Sequence, residues 1–246
     1  IWDAAMGKKI IQIKNLTLGL SLFVILLLSC SSSTSSNSNN PYGLDLVDNI
    51  SKYKESINKN ADMELIDLEI AIPSIKLDIR YATKNNFTGE IIYTSAKAFA
   101  RKPVAIALKK VQDSLAKHNL GLMIYDAYRP YSATLKFYEV YPDTNFVANP
   151  KYGSRHNRGC AIDLTLIDLN TGKEIPMPSE FDEFSEKAHP DYMNLSQEII
   201  KNRTFLFNIM SHFGLTHYPT EWWHFDYFGW ENYPLMNLSF EELMKM

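Results

Sequence analysis

The sequence has little cysteine, no excess of positive charge and no internal repeat. Its 25 lysines and arginines are outnumbered by 28 aspartates and glutamates, which gives a formal net charge of −3. Such a balance creates no basic surface that would attract nucleic acid, so nucleic-acid binding is not expected. The 246 residues are 46% hydrophobic and 22% charged. This composition is typical of a globular protein, and the length is sufficient for one domain with a sizeable core.

The longest apolar run is too short to cross a membrane. It is LTLGLSLFVILLLS at residues 16–29, whereas a membrane-spanning helix needs about 20 residues. Lysines precede this run, and Cys30 follows it directly. A positive segment, a short apolar run and a small residue before a cysteine resemble a bacterial lipoprotein signal peptide, which is cleaved before a cysteine that carries lipid. We therefore predict a signal peptide over residues 1–30 and lipidation of Cys30, in preference to an uncleaved anchor.

This leader determines the expected location and the domain boundaries. Met6 is the expected first residue, and residues 1–5 are interpreted as a cloning or gene-calling artefact. Residues 31–60 begin with a tract rich in serine and asparagine and are interpreted as a flexible tether and lead-in. We expect residues 61–246 to form the folded domain. The lipid would hold it in the cell envelope, on the periplasmic or outer face, and no obligatory protein partner is inferred.

The few cysteines leave the expected domain without a disulfide. If Cys30 carries lipid, Cys160 is the only other cysteine, so the fold must depend on its hydrophobic core although the compartment is oxidising. Cys160 follows Gly159 in a turn that enters an apolar run, where cysteine commonly behaves as a small hydrophobic residue. We favour that interpretation over a catalytic thiol.

Hydrophobic periodicity predicts a mixture of strands and helices. Alternating or apolar runs predict strands at IDLEIA, IKLDIRYA, GLMIYDAY, residues 161–166 and EWWHFDYF. Helical spacing predicts one helix that begins at Pro103 and another over residues 195–213, which Gly214 would cap. Because strands and helices do not alternate regularly, we predict a single α+β domain with a central, mainly antiparallel sheet flanked by helices.

An aspartate in an apolar run is the first candidate site residue. In SRHNRGCAIDLTL, Asp163 lies on the face of the expected strand opposite Ile162 and Leu164. A buried, unpaired carboxylate is costly, so Asp163 requires a cation of the chain or a metal ion as its partner. Gly159 allows a turn that brings His156 beside it. A histidine and a carboxylate are two of the three protein ligands that a catalytic zinc site characteristically has.

His224 in EWWHFDY is the best candidate for the third ligand. It lies among aromatic residues that can exclude water, and Glu221, three residues earlier, is suited to accept a proton from water that the metal activates. Strict strand alternation would place Glu221 and His224 on opposite faces, so this hypothesis requires a bulge near Trp222 and Trp223. For the remaining four histidines we favour a structural role: His118, His189, His212 and His217.

Four segments together resemble one known family. RYATKNNFTG, YDAYRP, SRHNRGCAIDLTL and EWWHFDY occur in this order within about residues 65–228. They are similar to segments of the D-alanyl-D-alanine dipeptidase family, zinc peptidases related to the vancomycin-resistance dipeptidase. The pattern S-x-H-x-x-G-x-A-x-D alone is shared by the wider group of zinc D,D-peptidases. The resemblance to the dipeptidases therefore depends on all four segments in order.

The resemblance implies a fold, a cofactor and a set of site residues. Residues 61–246 would be a zinc dipeptidase catalytic domain with the zinc D,D-peptidase fold, which is the hedgehog/DD-peptidase-like fold, and one catalytic Zn²⁺. The implied zinc ligands are His156, Asp163 and His224. Glu221 would be the general base, and Arg129 would polarise the scissile carbonyl. The residues implied around the free amino group of the substrate are Ser154, Asp182 and Tyr81.

Two of these residues have simpler interpretations from the sequence alone. Arg129 could form a surface ion pair with Asp126, and Asp182 could be a solvated acid in the acidic run at residues 180–186. Only the resemblance favours a role in the site for either residue.

The resemblance implies hydrolysis of the free dipeptide D-alanyl-D-alanine, and two alternatives stay open. The first is a zinc D,D-carboxypeptidase or endopeptidase that acts on peptidoglycan peptides, which would suit a lipoprotein facing the cell wall. The second is a non-catalytic, zinc-stabilised lipoprotein that binds the wall. A structural zinc would require a fourth protein ligand and would have no need of Glu221 or Arg129.

Overall fold

Five strands form the central sheet of the domain. A computed structural model describes residues 40–246 of the chain. With strands numbered along the chain, the order across the sheet is β3 (Lys76–Leu77), β5 (Leu120–Asp126), β6 (Ala161–Asp168), β8 (Glu221–Tyr227) and β7 (Leu215–Tyr218). β3 is parallel to β5, whereas the other neighbours are antiparallel. The prediction of a central, mainly antiparallel sheet is confirmed.

Short strands and helices complete the α+β arrangement. Two small strand pairs are β1 (Leu46–Val47) with β9 (Leu235–Met236), and β2 (Leu65–Asp67) with β4 (Phe99–Arg101). The helices are α1 (Ile50–Lys59), α2 (Leu68–Ala71), α3 (Lys102–Ala116), α4 (Tyr131–Val140), α5 (Gln197–His212) and α6 (Phe240–Met244). The two long helices pack against the central sheet, α3 on β5 and α5 on β7.

Local sequence explains where the long helices begin and end. Pro103 lies in the first turn of α3, where a missing N–H costs nothing. Ser196 caps α5 by accepting a hydrogen bond from the N–H of Ile199. Gly214 follows α5 with φ of +84°, a backbone conformation that favours glycine. Both predicted helices are confirmed.

The two faces of β6 have different surroundings, and only one of them packs in the hydrophobic core. Ile162 and Leu164 are buried in the main core, and full burial of such a side chain contributes roughly 1.5–3 kcal/mol. Because successive side chains of a strand point to opposite faces, Asp163 and Thr165 lie on the other face. The strand therefore presents one face to the core and the other to the candidate site.

Two predicted strands are mostly wrong. In IDLEIA, β2 ends at Asp67, because its carboxylate accepts hydrogen bonds from the N–H groups of Glu69 and Ile70 and starts α2. In IKLDIRYA, only Lys76–Leu77 is a strand, and a 3₁₀ helix follows at Arg80–Ala82. The chain leaves the sheet there, and the carbonyl of Tyr81 accepts hydrogen bonds from two later N–H groups instead of a neighbouring strand.

The folded region includes part of the segment assigned to the tether and lead-in. Tyr53 of α1 is buried, and its hydroxyl accepts a hydrogen bond of 2.6 Å from the N–H of Leu65. The predicted signal peptide, Cys30 and residues 31–39 lie outside the described residues. Over residues 40–246, no helix is both long and apolar enough to cross a membrane.

Candidate active site

Two adjacent strands place Asp163 beside His224. The two residues are direct partners in the antiparallel pairing of β6 and β8. Asp163 Oδ1 lies 3.1 Å from His224 Nδ1, and Asp163 Oδ2 lies 3.4 Å from His156 Nε2. Burial of Asp163 alone would raise its pKa, but the two imidazoles lower the pKa well below its usual range. The carboxylate is therefore held ionised inside the protein.

A tight turn brings His156 to this pair. His156 begins a 3₁₀ helix, His156–Arg158, and Gly159 follows with φ of +71°. The backbone conformation favours glycine, and a Cβ at this position would lie 2.6 Å from Leu65 Cδ2 and would displace that side chain. Arg101 holds the turn by two hydrogen bonds: its backbone N–H donates to Gly159 O at 2.9 Å, and its Nε donates to Arg158 O at 2.7 Å. The predicted turn is confirmed.

The hydrogen bonds of the two histidines orient the opposite nitrogens of their rings toward one point. His156 Nδ1 lies 2.8 Å from Ala127 O, and His224 Nε2 lies 3.0 Å from Asp226 Oδ1. Each of these nitrogens must carry a proton to donate to its acceptor, which leaves His156 Nε2 and His224 Nδ1 as the nitrogens that would bind a metal ion through their lone pairs. These two atoms are 3.1 Å apart. At this distance the two nitrogens need a cation between them, either a proton on one of them or a bound metal ion.

This donor set fits a divalent metal ion. Among the described residues, His156, Asp163 and His224 each offer one ligand atom, and these atoms lie within 4.8 Å of one another. Asp163 Oδ1 is buried and has no well-aligned hydrogen-bond donor. Zinc sites usually have ligands of this kind, here two imidazole nitrogens and a carboxylate oxygen. In such sites, hydrogen-bond acceptors behind the histidines orient the rings, as Ala127 O and Asp226 do here.

Glu221 reaches the same site because β8 is irregular. His217 pairs with Phe225, but the next residue of β7, Tyr218, pairs with Glu221. The three intervening residues of β8 have no counterparts on β7, which is the irregularity that the sequence required. Glu221 Oε2 consequently lies 3.6 Å from His224 Nδ1. Burial, reinforced by the charge of Asp163, raises the pKa of Glu221 to about 7, which is a suitable range for accepting and returning a proton.

Arg129 forms an ion pair, but the pair is buried rather than on the surface. Its Nε and Nη2 donate to Asp126 Oδ2 at 2.9 and 2.8 Å. Nη2 also lies 3.9 Å from Asp163 Oδ2. The rings of Tyr81 and Phe137 pack against the guanidinium, with 5.6 and 4.7 Å to the ring centroids. Arg129 is therefore a fixed cation at the edge of the site.

Ser154, Asp182 and Tyr81 lie in the wall of the same cavity. Tyr81 donates from its hydroxyl to Asp182 Oδ2 at 2.9 Å. Asp182 is not the freely solvated acid of the simpler interpretation, because burial and then the charge of Asp163 raise its pKa well above the usual value. Ser154 Oγ accepts a hydrogen bond of 3.2 Å from the N–H of His156. The cavity has a volume of about 420 Å³ and is also lined by the three candidate ligands, Glu221 and Arg129.

Sequence reasoning missed three contributors to the site. Ala127 O and Asp226 orient the rings of the two histidines, and Arg155 pairs with Asp226. Asp226 follows His224 by two residues on one strand, so period-two alternation could have placed both on one face. Neither the Ala127 carbonyl nor Arg155 carries such a signal, because both depend on how the loops pack.

The other sequence candidates lie elsewhere. Cys160 is buried, and burial raises its pKa to about 12, so the interpretation as a small hydrophobic residue is confirmed. None of the four remaining histidines lines the cavity. His118 packs edge-on against Phe205, and His217 stacks on Phe207.

Comparisons with known proteins show which family this chain resembles. A D-alanyl-D-alanine dipeptidase of Escherichia coli is 36% identical over 173 residues, which cover 70% of this chain and 89% of that protein. A D-alanyl-D-alanine dipeptidase of Enterococcus faecalis is 33% identical over 178 residues, which cover 64% of this chain and 88% of that protein. This chain therefore spans most of the length of both relatives.

Solved structures are more distant. The vancomycin-resistance D,D-dipeptidase VanXYg, in complex with a D-Ala-D-Ala phosphinate analogue, is 19% identical, with coverage of 74% of this chain and 75% of that chain. Its TM-score of 0.33 is too low to support any argument about this chain. The sequence match is decisive instead: the D-ala-D-ala dipeptidase family matches residues 61–241. The resemblance seen in the four segments is thus confirmed, and the chain belongs to the D-alanyl-D-alanine dipeptidase family of metallopeptidases.

Proposed function

We propose that this protein hydrolyses free D-alanyl-D-alanine with one Zn²⁺ held by His156, Asp163 and His224. The observation that carries the proposal is the convergence of three potential ligand atoms in a cavity that also contains Glu221. When bound there, Zn²⁺ would supply Lewis acidity to the attacking water and to the scissile carbonyl. Its three protein ligands would leave a coordination position for the substrate side, as catalytic sites do.

Glu221 moves the protons in this proposal. The carboxylate can take a proton from water and, once protonated, donate it to the amine that leaves, and burial of Glu221 favours the protonated form by raising its pKa. The carboxylate has little freedom to turn away, because it is nearly enclosed and lies 3.6 Å from His224 Nδ1. General acid–base catalysis of this kind typically contributes 10²–10⁴ in rate.

Arg129 stabilises the negative charge that develops on the carbonyl oxygen. It is a permanent cation, and its two hydrogen bonds to Asp126 hold it in position before the substrate arrives. A preorganised donor at this position costs no reorganisation during the reaction, and removal of one such donor typically lowers the rate about 10²–10³-fold.

Asp182 and Ser154 bind the free amino group of the dipeptide. Asp182 is half-buried, and its partial loss of solvation makes the carboxylate costly without a cation, so an ammonium group would offset that cost. Tyr81 fixes the carboxylate by its hydrogen bond to Oδ2. A carboxypeptidase substrate has no ammonium group there, so Asp182 supports a dipeptidase over the D,D-carboxypeptidase or endopeptidase alternative.

Two variants test the metal and the base separately. Glu221→Gln should retain full zinc by elemental analysis but lose at least about a hundredfold in kcat, because the glutamine cannot accept a proton. His224→Ala should lose zinc. Wild-type turnover by Glu221→Gln would refute the base assignment, and full zinc occupancy in His224→Ala would remove that residue from the ligand set.

We also propose that the chain is a lipoprotein of the cell envelope. The support is the sequence alone: a short apolar run that ends before Cys30 and is followed by a serine- and asparagine-rich tract. The catalytic domain would then face the compartment in which wall peptides are released.

A further inference from the structure

The cavity is lined by two positively charged side chains that differ in how many hydrogen bonds their guanidinium groups make to the protein. Among the described lining residues, Arg129 and Arg155 are the only lysines or arginines, whereas Asp163, Asp182 and Glu221 are acidic. Arg129 is committed to Asp126 by two hydrogen bonds. A substrate group with negative charge would therefore meet mainly carboxylates, unless it lies beside Arg155.

The described part of the chain holds Arg155 in place but leaves most of the N–H donors of its guanidinium without a hydrogen-bond acceptor. Its Nη1 donates to Asp226 Oδ2. The rings of Trp230 and Tyr218 pack against its guanidinium, at 4.7 and 5.2 Å to the ring centroids. Within residues 40–246, the Asp226 bond is the only one that this guanidinium makes, although an arginine has five N–H donors. The side chain is 34% exposed, so the remaining donors are accessible.

The sheet order places opposite charges at opposite ends of the ligand cluster. Asp182 is bonded to Tyr81, which follows β3 at one edge of the sheet. Arg155 packs on Tyr218, which belongs to β7 at the other edge. Asp163 and His224 lie between them on β6 and β8. A free dipeptide is a zwitterion, and its ammonium and carboxylate groups lie on opposite sides of the single peptide bond.

We propose that Arg155 binds the C-terminal carboxylate of the dipeptide. This inference rests on the proposed function and extends it, because it assigns a protein partner to the second charged end of the substrate. Arginine suits the task, since its planar guanidinium can donate two parallel hydrogen bonds to a carboxylate. Arg155 and Asp182 then act as two anchors that restrict the site to a substrate with one residue on each side of the scissile bond.

A comparison of acid and amide substrates tests the proposal on the zinc-loaded enzyme. D-alanyl-D-alaninamide lacks the C-terminal charge but keeps the peptide bond. Wild-type kcat/KM should favour the acid by about tenfold to a hundredfold, the range expected for hydrogen bonds to a charged group. Arg155→Gln should bring this ratio close to one, mainly through a higher KM for the acid, and Arg155→Lys should restore part of it.

Asp226→Asn is the matched control, because Arg155 also has a structural contact with Asp226. This variant removes the same ion pair but retains the guanidinium, so the acid-to-amide ratio should stay near that of the wild type even if both rates fall. If Arg155→Gln instead slows both substrates by the same factor and leaves the ratio unchanged, Arg155 only positions Asp226 and the proposal is wrong.

Calorimetry separates failure of this inference from failure of the proposed function. Zinc-loaded Glu221→Gln should bind D-alanyl-D-alanine more tightly than the amide, and addition of Arg155→Gln should abolish the difference. This result would support Arg155 even if the wild-type protein did not hydrolyse the dipeptide. Equal binding of acid and amide by Glu221→Gln would overturn the role of Arg155, whether or not the dipeptide is hydrolysed.

Discussion

His224 Nε2 lies 3.0 Å from Asp226 Oδ1, two residues further along the same strand. This contact places a proton on Nε2 and leaves Nδ1, which faces Asp163, as the nitrogen available to a metal ion. The same carboxylate accepts from Arg155 through its other oxygen. One acidic side chain therefore links a candidate metal ligand to the residue proposed to bind the substrate carboxylate.

Asp226→Asn should weaken zinc binding by about 10- to 100-fold, because the neutral amide is a weaker acceptor for His224. Competition with a chelator of known zinc affinity measures the change. Asp113→Asn is the control: Asp113 is exposed on α3 and pairs with Lys109, so its loss should leave zinc affinity unchanged. Equal zinc affinity of Asp226→Asn and the wild type would show that Asp226 does not orient His224.

Arg101→Met should lower the free energy of unfolding by about 2–4 kcal/mol. Arg101 is fully buried, and its guanidinium donates to the carbonyl oxygens of Met63, Arg158 and Pro234. Methionine fills similar space but leaves these buried acceptors without donors. Urea unfolding at a fixed zinc concentration measures the loss, since bound metal also stabilises the folded state.

Lys109→Met is the control for this experiment, because Lys109 is exposed and makes only a surface ion pair. Its effect should stay within about 0.5 kcal/mol. An equally small effect of Arg101→Met would contradict the view that Arg101 holds the turn before the strand of Asp163.

The sequence predicted the parts of this protein that depend on local pattern. The strand around Asp163 and the helix that begins at Pro103 each have a regular spacing of apolar residues, and the structure contains both elements. The strand expected at IDLEIA is replaced largely by α2, because the side chain of Asp67 caps a helix there. Such a cap depends on the conformation of a single side chain, and it can start a helix where the apolar pattern predicts a strand. Hydrophobic periodicity contains no information about that side-chain conformation.

The candidate site also has a part that the sequence predicted and a part that it did not. His156, Asp163 and His224 stand in two short motifs, so residue spacing and resemblance were sufficient to bring them together. Arg155 lies inside one of those motifs, but its role depends on contacts with Tyr218 and Trp230, which come from distant parts of the chain. No spacing rule connects these residues, so only the folded structure reveals them.

Cys30→Ser should abolish incorporation of labelled lipid into the full-length chain in a bacterial host, because the serine has no thiol to accept the lipid. The protein should remain unprocessed or be released from the membrane. The Cys160→Ser variant is the control and should be labelled normally, since Cys160 is buried in the folded domain. Lipid labelling that persists in Cys30→Ser would refute the lipoprotein assignment.

The measurement that tests the central claim most directly compares three substrates of the zinc-loaded protein. They are D-alanyl-D-alanine, its N-acetylated form and a wall pentapeptide that ends in D-alanyl-D-alanine. The free dipeptide should be favoured in kcat/KM by about a hundredfold, because only its ammonium group pairs with half-buried Asp182. Asp182→Ala should remove most of this preference by slowing the free dipeptide. Cleavage of the acetylated dipeptide or the pentapeptide as fast as the free dipeptide would contradict the dipeptidase account and favour a D,D-carboxypeptidase.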